Sequence, residues 1–264
     1  MYAFTYSHPT TVSAAVAELA NEDAKVLAGG QTLIPTMKQR LASPSTIVDI
    51  GKIAELAGIK KEGDSIVIGA TTRHADVATS DIVKAAIPAL AKLAGGIGDP
   101  AVRNRGTIGG SIANNDPAAD YPAGALALGA TIVTNKREIP ADSYFTGLFE
   151  TALAADEIIT QVKFPVPQKA AYVKFPNPAS RYALVGVFVA KGPNGVRVAV
   201  TGAGSNGVFR VAEFEKALAV NFAPAAIDGH RVPESGLASD LHADADYRAH
   251  LISVIAKRAV AAAG

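Results

Sequence analysis

The chain has no cysteine and no tryptophan, only 2 methionines, and aromatic residues fill just 6% of its 264 positions. Without cysteine it forms no disulfide, presents no thiol nucleophile and gives no thiolate to an iron–sulfur cluster, so any such cluster has to sit in a partner chain. An excess of one charge sign is missing too. The 25 basic residues are scattered among 24 acidic ones for a net charge of +1, which argues against a nucleic-acid binder and for small-molecule or protein partners. No apolar run reaches the roughly 18 residues that a membrane-spanning helix needs. The start MYAFTYSHPTT lacks the basic, apolar and cleavage regions of a signal peptide. The 5 histidines, at positions 8, 74, 230, 242 and 250, show no HExxH or other metal-binding spacing, so no residue is assigned to a metal. For His74, which follows Thr71-Thr72, a place near a ligand competes with a structural or solvent-facing role.

Glycine, by contrast, is abundant and unevenly placed. Six of the 24 glycines fall in Gly95–Pro122, GGIGDPAVRNRGTIGGSIANNDPAADYP, alongside Asn104, Asn114 and Asn115. Its centre, Arg103 to Ser111, combines residues that tolerate positive φ with hydroxyl and amide donors, and it lacks a phosphate-gripping Gly-Lys-Ser/Thr. It reads as a polar loop whose backbone N–H groups form a nest for phosphate oxygens; an ordinary glycine-rich turn is the alternative. A second stretch, Ala28-Gly29-Gly30-Gln31-Thr32-Leu33-Ile34, reads as strand, Gly-Gly turn and helix start, another place where unpaired N–H groups suit an anion. No third glycine follows at the Rossmann offset. Two glycine segments suit a long ligand with a central pyrophosphate.

Periodicity supplies the rest. A helix is predicted from Thr10 or Thr11 with Val12, Ala15, Val16 and Leu19 on one face, then a strand at Lys25–Ala28, a helix over Leu33–Leu41 and a strand at Thr46–Ile50, a small parallel β-α-β unit. Ser65–Ala70 reads as a strand, Asp81 as a helix cap and Pro88 as the start of a short helix. Asp120 precedes Tyr121-Pro122 and reads equally as an N-cap and as a ligand contact. Further strands are predicted at Thr131–Thr134 and Glu157–Phe164. After a boundary at Pro165–Lys169 come strands at Tyr172–Phe175, Ala183–Ala190 and Val196–Thr201, the last two joined by Gly192-Pro193-Asn194-Gly195. Helices follow, with Val211, Phe214 and Leu218 on one face, and Tyr247, Leu251, Val254 and Ile255 on another.

Four segments, AGGQTLIPTMKQRL, IVDIGKI, IGATTRHADV and VRNRGTIGGSIANNDPAADYP, in that order, resemble the FAD-binding medium subunit of molybdenum-containing hydroxylases, the group of aerobic carbon monoxide dehydrogenase and xanthine dehydrogenase. The resemblance covers essentially the whole chain. It implies an α+β fold: a two-part FAD-binding domain of the PCMH type over residues 1–166, with subdomains of about 1–54 and 55–166, and a small carboxy-terminal α+β domain over 167–264 with a three-stranded antiparallel sheet. By the same resemblance, Ala28, Gly29, Gly30, Gln31, Thr32 and Leu33, together with Gly106, Thr107, Ile108, Gly109, Gly110 and Ser111, line the pyrophosphate and ribityl region of FAD through backbone N–H groups. Asp120 falls on a polar contact position, Ile159 on an apolar one, and Lys174 where the family places a lysine near the flavin. Tyr182 matches an aromatic that covers a flavin face, although Ser180-Arg181 stands where relatives often carry Gly-Asp.

The function implied is electron transfer, with no catalytic acid–base group in this chain. A small [2Fe-2S] subunit would deliver electrons from a large molybdopterin subunit, in a cytoplasmic complex resembling a dimer of heterotrimers, and FAD would pass them to NAD, a quinone or oxygen. Two alternatives stay open, a self-contained FAD-dependent oxidase and a scaffold that has lost its flavin.

Overall fold

Strand pairing divides the chain, in a computed structural model describing residues 1–264, into three sheets and one hairpin. The first sheet is built from β1 (Thr5–Ser7), β2 (Ala24–Leu27) and β3 (Thr46–Asp49), parallel in the order β1-β3-β2, with α1 (Val12–Glu18) and α2 (Leu33–Lys38) in the connections. Thr11 starts α1 by accepting the Ala14 N–H at 3.2 Å, and Ala15 and Leu19 pack with Ala24, Val48 and Ile50. The expected β-α-β unit is present, with β1 added at its edge. Helix α2 stops short of Leu41, which is 75% exposed. Arg40 turns left-handed at φ 62°, and the Leu41 N–H closes back on the Thr36 carbonyl at 3.0 Å, a C-terminal cap made without glycine.

The second sheet combines β4 (Ile59–Glu62) and β5 (Ser65–Gly69) with strands that come much later in the chain. Between them lie α3 (His74–Thr79), α4 (Asp81–Ala86), α5 (Pro88–Gly95), α6 (Pro100–Arg103), α7 (Ile108–Asn114) and α8 (Tyr121–Leu128). Then follow β6 (Thr131–Thr134), β7 (Glu138–Pro140), α9 (Ala141–Tyr144), the hairpin β8 (Phe145–Gly147) and β9 (Glu150–Thr151), and β10 (Ile159–Pro165). The order is β4-β5-β10-β6-β7, antiparallel, with Gly69 opposite Gln161 and Ser65 opposite Pro165. Ser80, not Asp81, caps α4; Pro88 opens α5 as expected.

The glycine-rich stretch is not one loop. It holds α6, α7 and the start of α8, and its only left-handed glycine is Gly98. Gly106, Gly109 and Gly110 are there for clearance: a Cβ at Gly109 would sit 2.6 Å from the Ala70 Cβ. Every residue of α8 is buried, as expected of a helix apolar on all sides, and the small residues Ala123, Gly124 and Ala127 let it pack between sheets.

The third sheet, β11 (Lys169–Pro176), β12 (Ala183–Gly192), β13 (Gly195–Thr201) and β14 (Phe209–Arg210), is antiparallel and has four strands, one more than expected. Two residues are too few to show a strand period, which is why β14 is silent in the sequence. Ala183 to Ala190 is buried throughout because both faces of β12 are covered. Phe188 and Ala190 join the core containing α5 and α8; Val185, Val187 and Val189 join the core under α10 (Ala212–Val220) and α11 (Ala245–Ala263). Helix α11 buries Leu251, Ile252, Ile255 and Ala259, whereas Tyr247 is 42% exposed, so its apolar face is rotated from the one expected.

Candidate functional site

A cavity of about 730 Å³ opens where the first sheet, α7 and the loops beside the third sheet meet. Gly29 brings these parts together: a Cβ on it would overlap the Arg105 carbonyl and come within 2.8 Å of the Gly106 Cα. Of the sixteen site residues expected above, Ala28 through Leu33, Gly106, Thr107, Gly109, Gly110, Ser111, Asp120, Ile159 and Tyr182 line this cavity. Ile108 does not; its side chain is fully buried in the core beneath α7. Lys174 stands behind the wall, 3.0 Å from Asp120 and 2.8 Å from the Gly96 carbonyl.

The two glycine segments do different work. From Gly29 to Leu33, five consecutive backbone N–H groups find no acceptor within the chain, and Gly30 is left-handed at φ 76°. That is an anion nest. In α7 the corresponding groups are already committed: Ile108 N–H donates to Thr72, Gly109 N–H to Ala70, and Gly110 N–H to the Thr107 hydroxyl at 3.2 Å. This corrects the expectation of a second nest of free amides. What α7 offers the cavity is close backbone approach and the unpartnered Ser111 and Asn114 side chains.

Asp120 takes the N-cap position of α8 but its side chain does not cap. Its carboxylate turns instead to β11, accepting from the Tyr172 hydroxyl and from Lys174. Burial pushes this carboxyl up, while Lys174 and Tyr172 hold it down. Glu157, also a lining residue, is held down to about 2, chiefly by the Arg137 guanidinium, whose nitrogens lie 2.9 Å from each oxygen.

His74 is 5% exposed and lines the cavity, answering the ambiguity in the sequence. Its ring packs against Tyr121 with centroids 5.3 Å apart. Burial, with Arg103 nearby, lowers its pKa to about 4, so the imidazole is neutral.

Sequence reasoning missed Asp116, Glu157, Phe149 and Arg181 as wall residues. Asp116 lies in the segment VRNRGTIGGSIANNDPAADYP that carries the resemblance, four residues before Asp120, and that is a usable signal. Phe149 and Arg181 carried none, and both hold left-handed backbone at φ 56° and 61°.

The nest, the glycine clearance and the apolar walls of Ile158, Ile159 and Leu153 fit a cofactor with a pyrophosphate and a flat ring. The fold and cavity thus define a flavin-nucleotide-binding subunit. Residues 2–167 match the family described as FAD binding domain in molybdopterin dehydrogenase. The chain is 37% identical to the carbon monoxide dehydrogenase medium chain of Hydrogenophaga pseudoflava, across 98% of this chain and 96% of that one. It is 35% identical to the nicotine 6-hydroxylase medium subunit of Paenarthrobacter nicotinovorans, across 99% and 98%. The structure of carbon monoxide dehydrogenase from Hydrogenophaga pseudoflava lacking the Mo-pyranopterin moiety superposes with a TM-score of 0.90 at 37% identity, covering 99% of this chain and 97% of that one. Quinoline 2-oxidoreductase from Pseudomonas putida 86 gives 0.89 at 28% identity, covering 99% and 97%.

The chain belongs to the FAD-binding family of molybdopterin dehydrogenases. It is an oxidoreductase subunit with FAD as its cofactor, and no helix in it is long and apolar enough to cross a membrane.

Proposed function

We propose that this chain is the electron-transfer subunit of a molybdenum hydroxylase complex, receiving electrons from the iron–sulfur clusters of a small partner and releasing them to an external acceptor. Its partners in this reading are a small [2Fe-2S] subunit and a large molybdopterin subunit, arranged as a dimer of heterotrimers in the cytoplasm. The observation that carries the proposal is the pairing, in one cavity, of the Gly29–Leu33 amide nest with a half-exposed aromatic, Tyr182, at 48% exposure.

Bound FAD supplies the redox chemistry. The nest binds the pyrophosphate, with Thr32, Thr107 and Ser111 adding hydroxyls. Ile159 packs on the ring system, Asp120 accepts a hydrogen bond at the wall with Lys174 neutralising it from behind, and Tyr182 screens the ring from water. Residues 1–166 carry most of this site; residues 167–264 add Lys174 and Tyr182, which is the domain division we adopt.

The test is to purify the full chain with its native partners, determine subunit masses, and release the flavin by acid precipitation. FAD freed without covalent attachment, from a complex with an iron–sulfur and a molybdopterin subunit, is expected. A solitary chain with steady-state oxidase activity, or preference for FMN over FAD, would defeat the proposal.

A further inference from the structure

We propose that Tyr172 is a positioning residue of the flavin site, holding Asp120 in one conformation as a hydrogen-bond acceptor in the cavity wall. The inference rests on the flavin-binding reading above and extends it to a side chain outside the cavity.

Tyr172 and Lys174 are two residues apart on β11 and so share a face. Tyr172 is 4% exposed, and its ring lies against Phe188, centroids 6.0 Å apart and planes at 29°. Its hydroxyl donates to Asp120 Oδ1. Lys174 Nζ is 3.0 Å from Oδ1 and 3.3 Å from Oδ2. Room for the phenol comes from Gly186, which faces Lys174 in the β11–β12 register; a Cβ there would overlap the Tyr172 hydroxyl and lie 2.9 Å from Thr201 Cγ2. The Thr201 hydroxyl in turn contacts the Ala119 carbonyl at 2.6 Å. The third sheet therefore grips the residues leading into α8 at two adjacent points.

A carboxylate offers about four acceptor positions. Tyr172 and Lys174 take those facing β11, and the rest of Asp120 lines the cavity. Lys174 is a flexible point charge already shared with Gly96, so alone it would not fix the carboxylate. The phenol does, and by donating it also favours the charged form in a place where burial favours the neutral acid. The other titratable groups facing Asp120 are Tyr121 on α8 and Tyr182 on the β11–β12 loop, with Asp116 beside Tyr182.

The test compares the full-length wild type with Tyr172→Phe, which keeps the ring, by titrating FAD from about pH 5.5 to about pH 8 and measuring the midpoint potential of the bound flavin. Wild-type affinity is the reference at each pH. Relative to it, Tyr172→Phe should lose at least about tenfold more affinity at the acid end than at the alkaline end, with a shifted midpoint potential. Gly186→Ala, which displaces the hydroxyl while retaining the tyrosine, should reproduce the pH dependence and keeps the test open if Tyr172→Phe does not fold. In an Asp120→Asn background Tyr172→Phe should add no pH dependence. An affinity loss that is the same at every pH, or no loss, would leave Tyr172 a packing residue and overturn this inference alone. A folded wild type that binds no FAD would overturn the flavin reading and this inference together.

Discussion

His74 fills a space between Tyr121 and the backbone of Gly106, where a Cβ would stand 2.5 Å from its Nε2. In that position it can carry no proton cheaply. Its folded pKa of about 4 lies below the ordinary value of 6.5, so the unfolded chain binds the extra proton first. The stability this neutral ring provides is complete above pH 6.5 and is lost as pH falls toward 4. Urea unfolding of the FAD-free chain at pH 7 and pH 5 should therefore show a fall in stability that His74→Gln reduces by about 2 kcal/mol; equal falls would place the ring in solvent. Much at this scale was legible in the sequence, since the AGGQTL and GTIGG segments do meet at one cavity. The reason for their glycines was not. Positive φ is needed at Gly30, but Gly29, Gly109 and Gly110 are required by atoms more than thirty residues away in sequence or by a hydroxyl one turn back, and no local pattern reports such clearance.

At the scale of elements, α7 ends in Asn115, left-handed at φ 44°, whose side-chain amide donates to the Gly147 and Glu150 carbonyls at 2.9 and 2.8 Å. One residue thus closes a helix and clamps the β8–β9 hairpin that carries Phe149 to the cavity. Asn115→Ala should cost about 2–3 kcal/mol through two orphaned carbonyls and speed amide exchange across Phe145–Thr151; exchange at the wild-type rate would show that the hairpin holds itself. The long strands β10, β12 and β13 could be read in advance because each has seven or more residues and is rich in β-branched and aromatic side chains. Helix α7 could not, because two of its seven residues are glycine, and its helicity is imposed by packing on Ala70 against a poor propensity. The hairpin strands, three and two residues long, are below the length at which alternation means anything.

Across the whole molecule the largest core joins Ile68 and Phe164 of the second sheet to Tyr172, Phe188 and Ala199 of the third. The two parts of the chain are therefore one cooperative body on the α8 side. Residues 1–166 expressed alone should give broad, poorly dispersed amide spectra and no sharp melting transition; a cooperative melt would show that α5 and α8 need no cover. The pairing of β5 with β10 has a further consequence for how the chain is made. Helices α3 to α8, and with them half of the cavity, lie between these two strands in sequence, and non-local pairings of this kind close late. A nascent chain leaving the ribosome cannot finish its binding pocket until β10, and after it Arg181 and Tyr182, have emerged, so the flavin is loaded only after translation of that later segment.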